Sequence, residues 1–122
     1  MVMVGAIIDE GASVSILSST SWKVLGLPSL LPEMRYLTSF NKGTSQLLGI
    51  LPSLPITLRR KIVYLNVVIV QGPLDYNLLL GWDYIYSMGA IMSSLFRVMC
   101  FPYEGRVVQL VDHLSFPQFT HI

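Results

Sequence analysis

Turn-forming residues interrupt this chain at short, regular intervals. Gly26, Pro28, Pro32, Asn41-Lys42-Gly43, Pro52, Pro55, Gly72-Pro73, Gly89 and Pro102-Tyr103-Glu104-Gly105 separate segments rich in Val, Ile, Leu and aromatic residues. Proline cannot donate to a strand ladder, and glycine and asparagine accept the positive φ of tight turns. Many short β-favouring runs between such signals predict an all-β, barrel-like domain.

The runs can be placed individually. Met1 to Ile8 reads as a strand, and Val14 to Leu17 continues in β-favouring residues. Ser18-Ser19-Thr20 offers N-caps for a short helix over Ser21 to Leu25, which Gly26 stops. Arg35 to Phe40 and Thr44 to Leu51 flank Asn41-Lys42-Gly43 as a hairpin. Pro52 and Pro55 predict an edge or bent strand. Ile56 to Leu58 and Ile62 to Val70 are strands joined by Arg59-Arg60-Lys61, read as a solvated turn. Leu78 to Leu80 is a strand, and Trp82 to Met88 a short helix ending at Gly89. Ser94 to Phe101 and Arg106 to Val111 form a last hairpin, and Asp112 to Ile122 a tail or linker.

At 122 residues the expectation is one domain, residues 1–111, with a modest core. The composition is 52% hydrophobic and 12% charged, with mean hydropathy +0.60, against about 25% charged in an average domain. Such an apolar surplus fits either a surface covered by a partner or a dense β core cut from a larger protein. A net charge of +1 argues for neither nucleic acid nor an anionic membrane as partner. No run reaches bilayer-spanning length, and the N-terminus lacks the features of a signal peptide. Cys100 is the only cysteine, so no internal disulfide forms, and an intracellular, cytoplasmic location is expected.

One stretch carries chemistry. In Ala6-Ile7-Ile8-Asp9-Glu10-Gly11-Ala12-Ser13 an apolar strand runs into Asp9 and then into a small-residue turn. Gly-Ala lets the backbone bend sharply and lets other groups approach. That leaves Asp9 at a tight, half-buried corner, where a carboxylate is a candidate acid or base. Competing chemistries are weaker. The serines lack a G-x-S-x-G setting, and both histidines, His113 and His121, lie in the tail without ligand spacing. No metal and no cofactor are expected.

The stretch resembles the D-T/S-G-A motif of retropepsin-type aspartic proteases, with Glu10 where Thr or Ser normally sits. Tyr76-Asn77-Leu78-Leu79-Leu80-Gly81-Trp82-Asp83-Tyr84-Ile85 resembles the hydrophobic-hydrophobic-Gly element of the same family. The longer runs Asp9–Pro32 and Gln71–Phe101 are similar to the protease-like part of plant gypsy-type retrotransposon polyproteins, and the resemblance covers residues 4–111.

The resemblance implies a single retropepsin-like lobe, a closed barrel-like domain with one or two short helices. It implies a homodimer in which each copy supplies Asp9 as a catalytic residue, because the chain is too short for two lobes. Gly11 would let backbone amides approach the carboxylates and substrate, Ala12 and Ser13 would line the cleft floor, and Lys42-Gly43 would sit in a flap over a polypeptide substrate. Leu79-Leu80-Gly81 would pack under the catalytic loop. In this chemistry two close carboxylates share a proton; one takes a proton from water and the other donates to the scissile carbonyl.

Three departures stand against the pattern. Glu10 replaces a hydroxyl residue that bonds across the two-fold axis. Ser13 and Trp82 stand where the family often has an Asp–Arg ion pair. Only eight residues precede Asp9, fewer than the family carries. A catalytically inactive relic serving as a dimerisation or interaction module is therefore the alternative function, and a non-protease β-barrel binding domain a third.

Overall fold

The computed structural model describes residues 5–32, 46–72, 74, 76–93 and 95–111. Its elements are β1 (Ala6–Ile8), β2 (Ile16–Ser18), α1 (Ser19–Val24), β3 (Gln46–Leu58), β4 (Lys61–Gln71), β5 (Leu78–Leu80), α2 (Trp82–Met88), β6 (Ile91–Ser93), β7 (Val98–Tyr103) and β8 (Arg106–Val111). A five-stranded sheet has the order β1-β5-β2-β4-β3, and a three-stranded sheet the order β6-β7-β8. The all-β expectation with two short helices holds, although the two sheets do not close into one barrel.

β4 organises the large sheet. Its first half alternates buried and exposed residues, with Val63 and Leu65 inward and Ile62 and Tyr64 outward. From Val67 to Val70 every residue is buried, because here β4 has β2 on one side, β3 on the other and cover on both faces. Period-two alternation then splits the run. Val67 and Ile69 join Leu17, Leu78, Leu80 and Ile85 in the main core, while Val68 and Val70 pack with Ile16 in a smaller cluster. Each such fully buried aliphatic contributes roughly 1.5–3 kcal/mol.

β3 is a single edge strand where the sequence suggests two segments. Between the pairs Leu51↔Val67 and Leu54↔Leu65, Pro52 and Ser53 oppose the single residue Asn66, which makes a β-bulge. The bulge absorbs Pro52, which has no amide hydrogen for the ladder. Ser53 takes φ 52°, and its amide donates instead to Asn66 Oδ1 at 3.0 Å. The polar residue in an otherwise apolar β4 therefore satisfies the bulge of its neighbour.

α1 begins two residues earlier than expected, with Ser18 as N-cap accepting from the Ser21 amide at 3.2 Å. α2 ends at Gly89, whose φ of 65° is the left-handed stop the sequence signals. Lys61 is not part of a solvated turn: its Nζ donates to the carbonyls of Met88 and Pro102 at 2.7 Å each and lies 5.6 Å from the Phe101 ring centroid. It satisfies a carbonyl left over at the end of α2 and joins the two sheets' hairpins. β6 was not foreseen; the last hairpin begins at Val98, after a turn that includes Arg97 at φ 54°. The expected hairpin around Lys42 and Gly43 and the tail 112–122 lie outside the described residues.

Candidate active site

Strand order determines the path of the Asp9 loop. β1 and β2 are adjacent in sequence, yet β5 lies between them, parallel to β1 and antiparallel to β2. The loop 9–15 must therefore pass the C-terminal end of β5, where Gly81 lies. The two motifs, far apart in sequence, meet there.

Backbone bonds fasten the crossing. The Asp9 amide donates to Leu80 O at 2.9 Å, extending the β1–β5 ladder by one residue, and the Trp82 amide donates to Ala12 O at 2.7 Å. Gly81 is wedged beneath the loop: a Cβ there would sit 2.7 Å from both Ala12 O and Val14 O. Only glycine lets the two backbones come this close. Leu79-Leu80-Gly81 thus underlies the Asp9 loop.

Within the loop, the Gly11 amide donates to Asp9 Oδ1 at 2.9 Å, and the Ala12 amide donates to Asp9 O at 3.2 Å. A Cβ on Gly11 would lie 3.2 Å from that same carboxylate oxygen, so glycine permits the amide's approach. The amide orients the carboxylate. Asp9, Gly11 and Ser13 are exposed and Ala12 half-buried. The half-buried corner expected for Asp9 is thus absent in the single chain. The loop caps a strand at the sheet edge, and among the described residues nothing packs over its outer side. Glu10 is likewise exposed.

The strongest polar contact at the site involves residues to which the sequence assigned no role. Asp83, in the first turn of α2, accepts from Ser15 Oγ at 2.6 Å and from the Ser15 amide at 3.1 Å. Asp83 Oδ1 also accepts from the Tyr84 amide at 2.8 Å, which serves a helix amide without a side-chain cap. Ser15 Oγ in turn accepts from the Gly81 amide at 3.0 Å. Ser15 is fully buried, so its hydroxyl needs these partners. The available signal was an Asp directly after the Gly81-Trp82 break, where a helix starts; its partner, 68 residues away, gave none. Trp82 reaches the loop through its backbone, and its side chain is 54% exposed. Trp22 does pack against the core, with its Nε1 donating to Pro28 O at 2.9 Å. Lys42 and Gly43 lie outside the described residues, and their place relative to Asp9 is not defined. No described helix is long and apolar enough to cross a membrane.

An Asp-bearing loop crossing a hydrophobic-hydrophobic-Gly strand end, within this sheet order, is a retropepsin-like fold. Among solved structures, the chain is similar to the crystal structure of the retroviral protease-like domain of Ddi1 from Leishmania major, with a TM-score of 0.65 over 90% of this chain and 94% of that one. The two share 18% sequence identity, so the likeness is one of fold. No family model matches the sequence, and no curated protein matches it.

Proposed function

We propose that this chain is one half of an aspartic endopeptidase of retroelement origin, with Asp9 as the catalytic residue of each copy in a homodimer. The observation that carries the reading is the Asp9 loop itself. Its carboxylate is oriented by the Gly11 amide, and its backbone is pinned to Leu80 and Trp82 in a retropepsin-like fold.

One chain supplies one carboxylate, and hydrolysis needs two. In the proposed dimer the ionised member removes a proton from the attacking water while the protonated member donates to the carbonyl oxygen. The tetrahedral intermediate then collapses as a proton passes to the leaving amine. Gly11, Ala12 and Ser13 form the floor against which an extended polypeptide lies, and Lys42-Gly43 belongs to the covering flap. A segment of the polyprotein that encodes the domain, in the cytoplasm, is the substrate this origin favours.

Glu10 favours a second reading, an inactive module that keeps the dimer and has lost catalysis. The deciding experiment is cleavage of an unstructured polypeptide at acid pH by purified protein, with and without a statine-type inhibitor, beside Asp9→Asn. Inhibitor-sensitive cleavage lost in the variant supports the endopeptidase. A dimer without such cleavage supports the inactive module, and a monomer without cleavage overturns both.

A further inference from the structure

Two hairpin tips converge at a place remote in sequence from the Asp9 loop. β3 and β4 are joined by Arg59-Arg60 between the paired residues Leu58 and Lys61, and β7 and β8 by Glu104-Gly105 between Tyr103 and Arg106. All four turn residues have positive φ: 50° and 73° at Arg59 and Arg60, 48° and 73° at Glu104 and Gly105. Positive φ at both positions marks the tight turn that suits the twist of a two-stranded ribbon, and Asn-Gly is its favoured sequence. The second tip has its glycine. The first holds two arginines in a backbone conformation that side chains disfavour.

Between the tips lies an open groove of about 550 Å³, lined by Arg59, Arg60, Arg106, Tyr103, Glu104 and Val108. Among the described residues, no carboxylate forms a salt bridge with any of the three guanidinium groups, although Glu104 shares the groove. A net charge of +1 for the whole chain hides this local excess. Three unpaired guanidinium groups facing one concavity call for an anion, and the planar guanidinium fork matches phosphate oxygens. Tyr103 and Val108 give the same groove an apolar wall, and an aromatic ring there suits a nucleobase.

We propose that this groove binds a phosphate-bearing ligand of about one nucleotide unit, either a free nucleotide or one link of a single strand. Arg59 and Arg60 hold their strained turn because the charges are needed at that tip. The proposal is independent of peptidase activity.

Calorimetric titration of the full chain at low ionic strength tests it, with inorganic pyrophosphate, ATP, a short oligouridylate and an oligoglutamate peptide as probes. The phosphate probes should bind, weaken as salt rises, and shift the backbone amide resonances of Glu104 and Gly105. ATP tighter than oligouridylate identifies a free nucleotide, and the reverse order identifies a strand; either supports the proposal. Arg59→Asn with Arg60→Gly should raise the melting temperature by relieving the turn while weakening binding at least ~10-fold, as loss of charge-assisted bonds requires. Arg106→Gln should weaken binding without the thermal gain, and Lys23→Gln should leave it unchanged. Absence of binding by wild-type protein, unchanged affinity in the Asn-Gly variant, or oligoglutamate binding as tight as ATP would each overturn it.

Discussion

Asp83 holds Ser15 at two points, its Oδ1 on the serine hydroxyl and its Oδ2 on the serine amide. The contact joins the end of the Asp9 loop to the start of α2 in a partly buried place. Replacing Asp83 by Ala leaves a fully buried hydroxyl and an amide without an acceptor, so stability should fall by about 2–4 kcal/mol. Asp83→Asn should rescue little, because its amide group would oppose one of Ser15's donors. Ser15→Ala also removes the acceptor of the Gly81 amide. A double-mutant cycle by urea unfolding should return a coupling of about 1–2 kcal/mol. Additive losses would mean the two residues act independently.

Gly81 should tolerate no side chain. A Cβ would stand 2.7 Å from two carbonyl oxygens, both in backbone pinned by neighbouring bonds. Gly81→Ala should cost about 3 kcal/mol or prevent folding. Gly5→Ala, where nothing lies within 4 Å, serves as the matched control and should change little. Similar melting temperatures for the two variants would contradict the wedged position of Gly81.

Tyr84 is fully buried, and among the described residues its hydroxyl has no hydrogen-bond partner. Burial raises its pKa above the ordinary 10.0. The folded state therefore resists losing the phenol proton more than the unfolded chain does. That contribution is complete below pH 10 and declines as pH rises above it, towards the raised folded value. Tyr84→Phe should be more stable than wild type by about 1 kcal/mol at neutral pH, since it removes an unsatisfied buried group. It should also lose less stability above pH 10. Unfolding curves at neutral and alkaline pH check both points; a destabilised variant would reveal a partner for the hydroxyl.

Asp9 is exposed and makes its side-chain bond within its own loop, so Asp9→Asn should leave the melting temperature nearly unchanged. On the proposed function the same variant loses peptidase activity by at least ~100-fold. Circular dichroism and cleavage assays on one preparation separate the two effects. Equal cleavage by both proteins would remove Asp9 from the mechanism.

The proposed pairing of two copies predicts self-association through an isologous surface, with each Asp9 loop facing its twin. Sedimentation velocity at tens of micromolar should show a dimer at acid or neutral pH. A monomer throughout would leave each carboxylate without its mate.

Signals in the sequence are legible where their cause is local. Gly89 stops α2 because glycine enters the left-handed region freely, and Ser18 caps α1 because its oxygen reaches an amide three residues on. The meeting of the Asp9 loop with Gly81 was legible only through resemblance, since no periodicity encodes a crossing. Pro52 and Pro55 predict an edge or bent strand, and β3 is indeed the edge strand of its sheet. The structure keeps one strand because Asn66, in the opposite strand, satisfies the bulge. Ser15 with Asp83 and Arg106 with Arg59-Arg60 were missed for the same reason. Each is a partnership across distant chain segments, and neither residue type signals it alone.

The edge position of β1 also bears on biosynthesis. Its described ladder partner is β5, and the loop that follows it is held by Leu80, Trp82 and, through Ser15, Asp83. During translation Asp9 leaves the ribosome some seventy residues ahead of its supports, residues 78–83. Until then the nascent segment carries an aspartate without a formed loop. A chain cut short before Leu78 would keep the residue and lack its mounting.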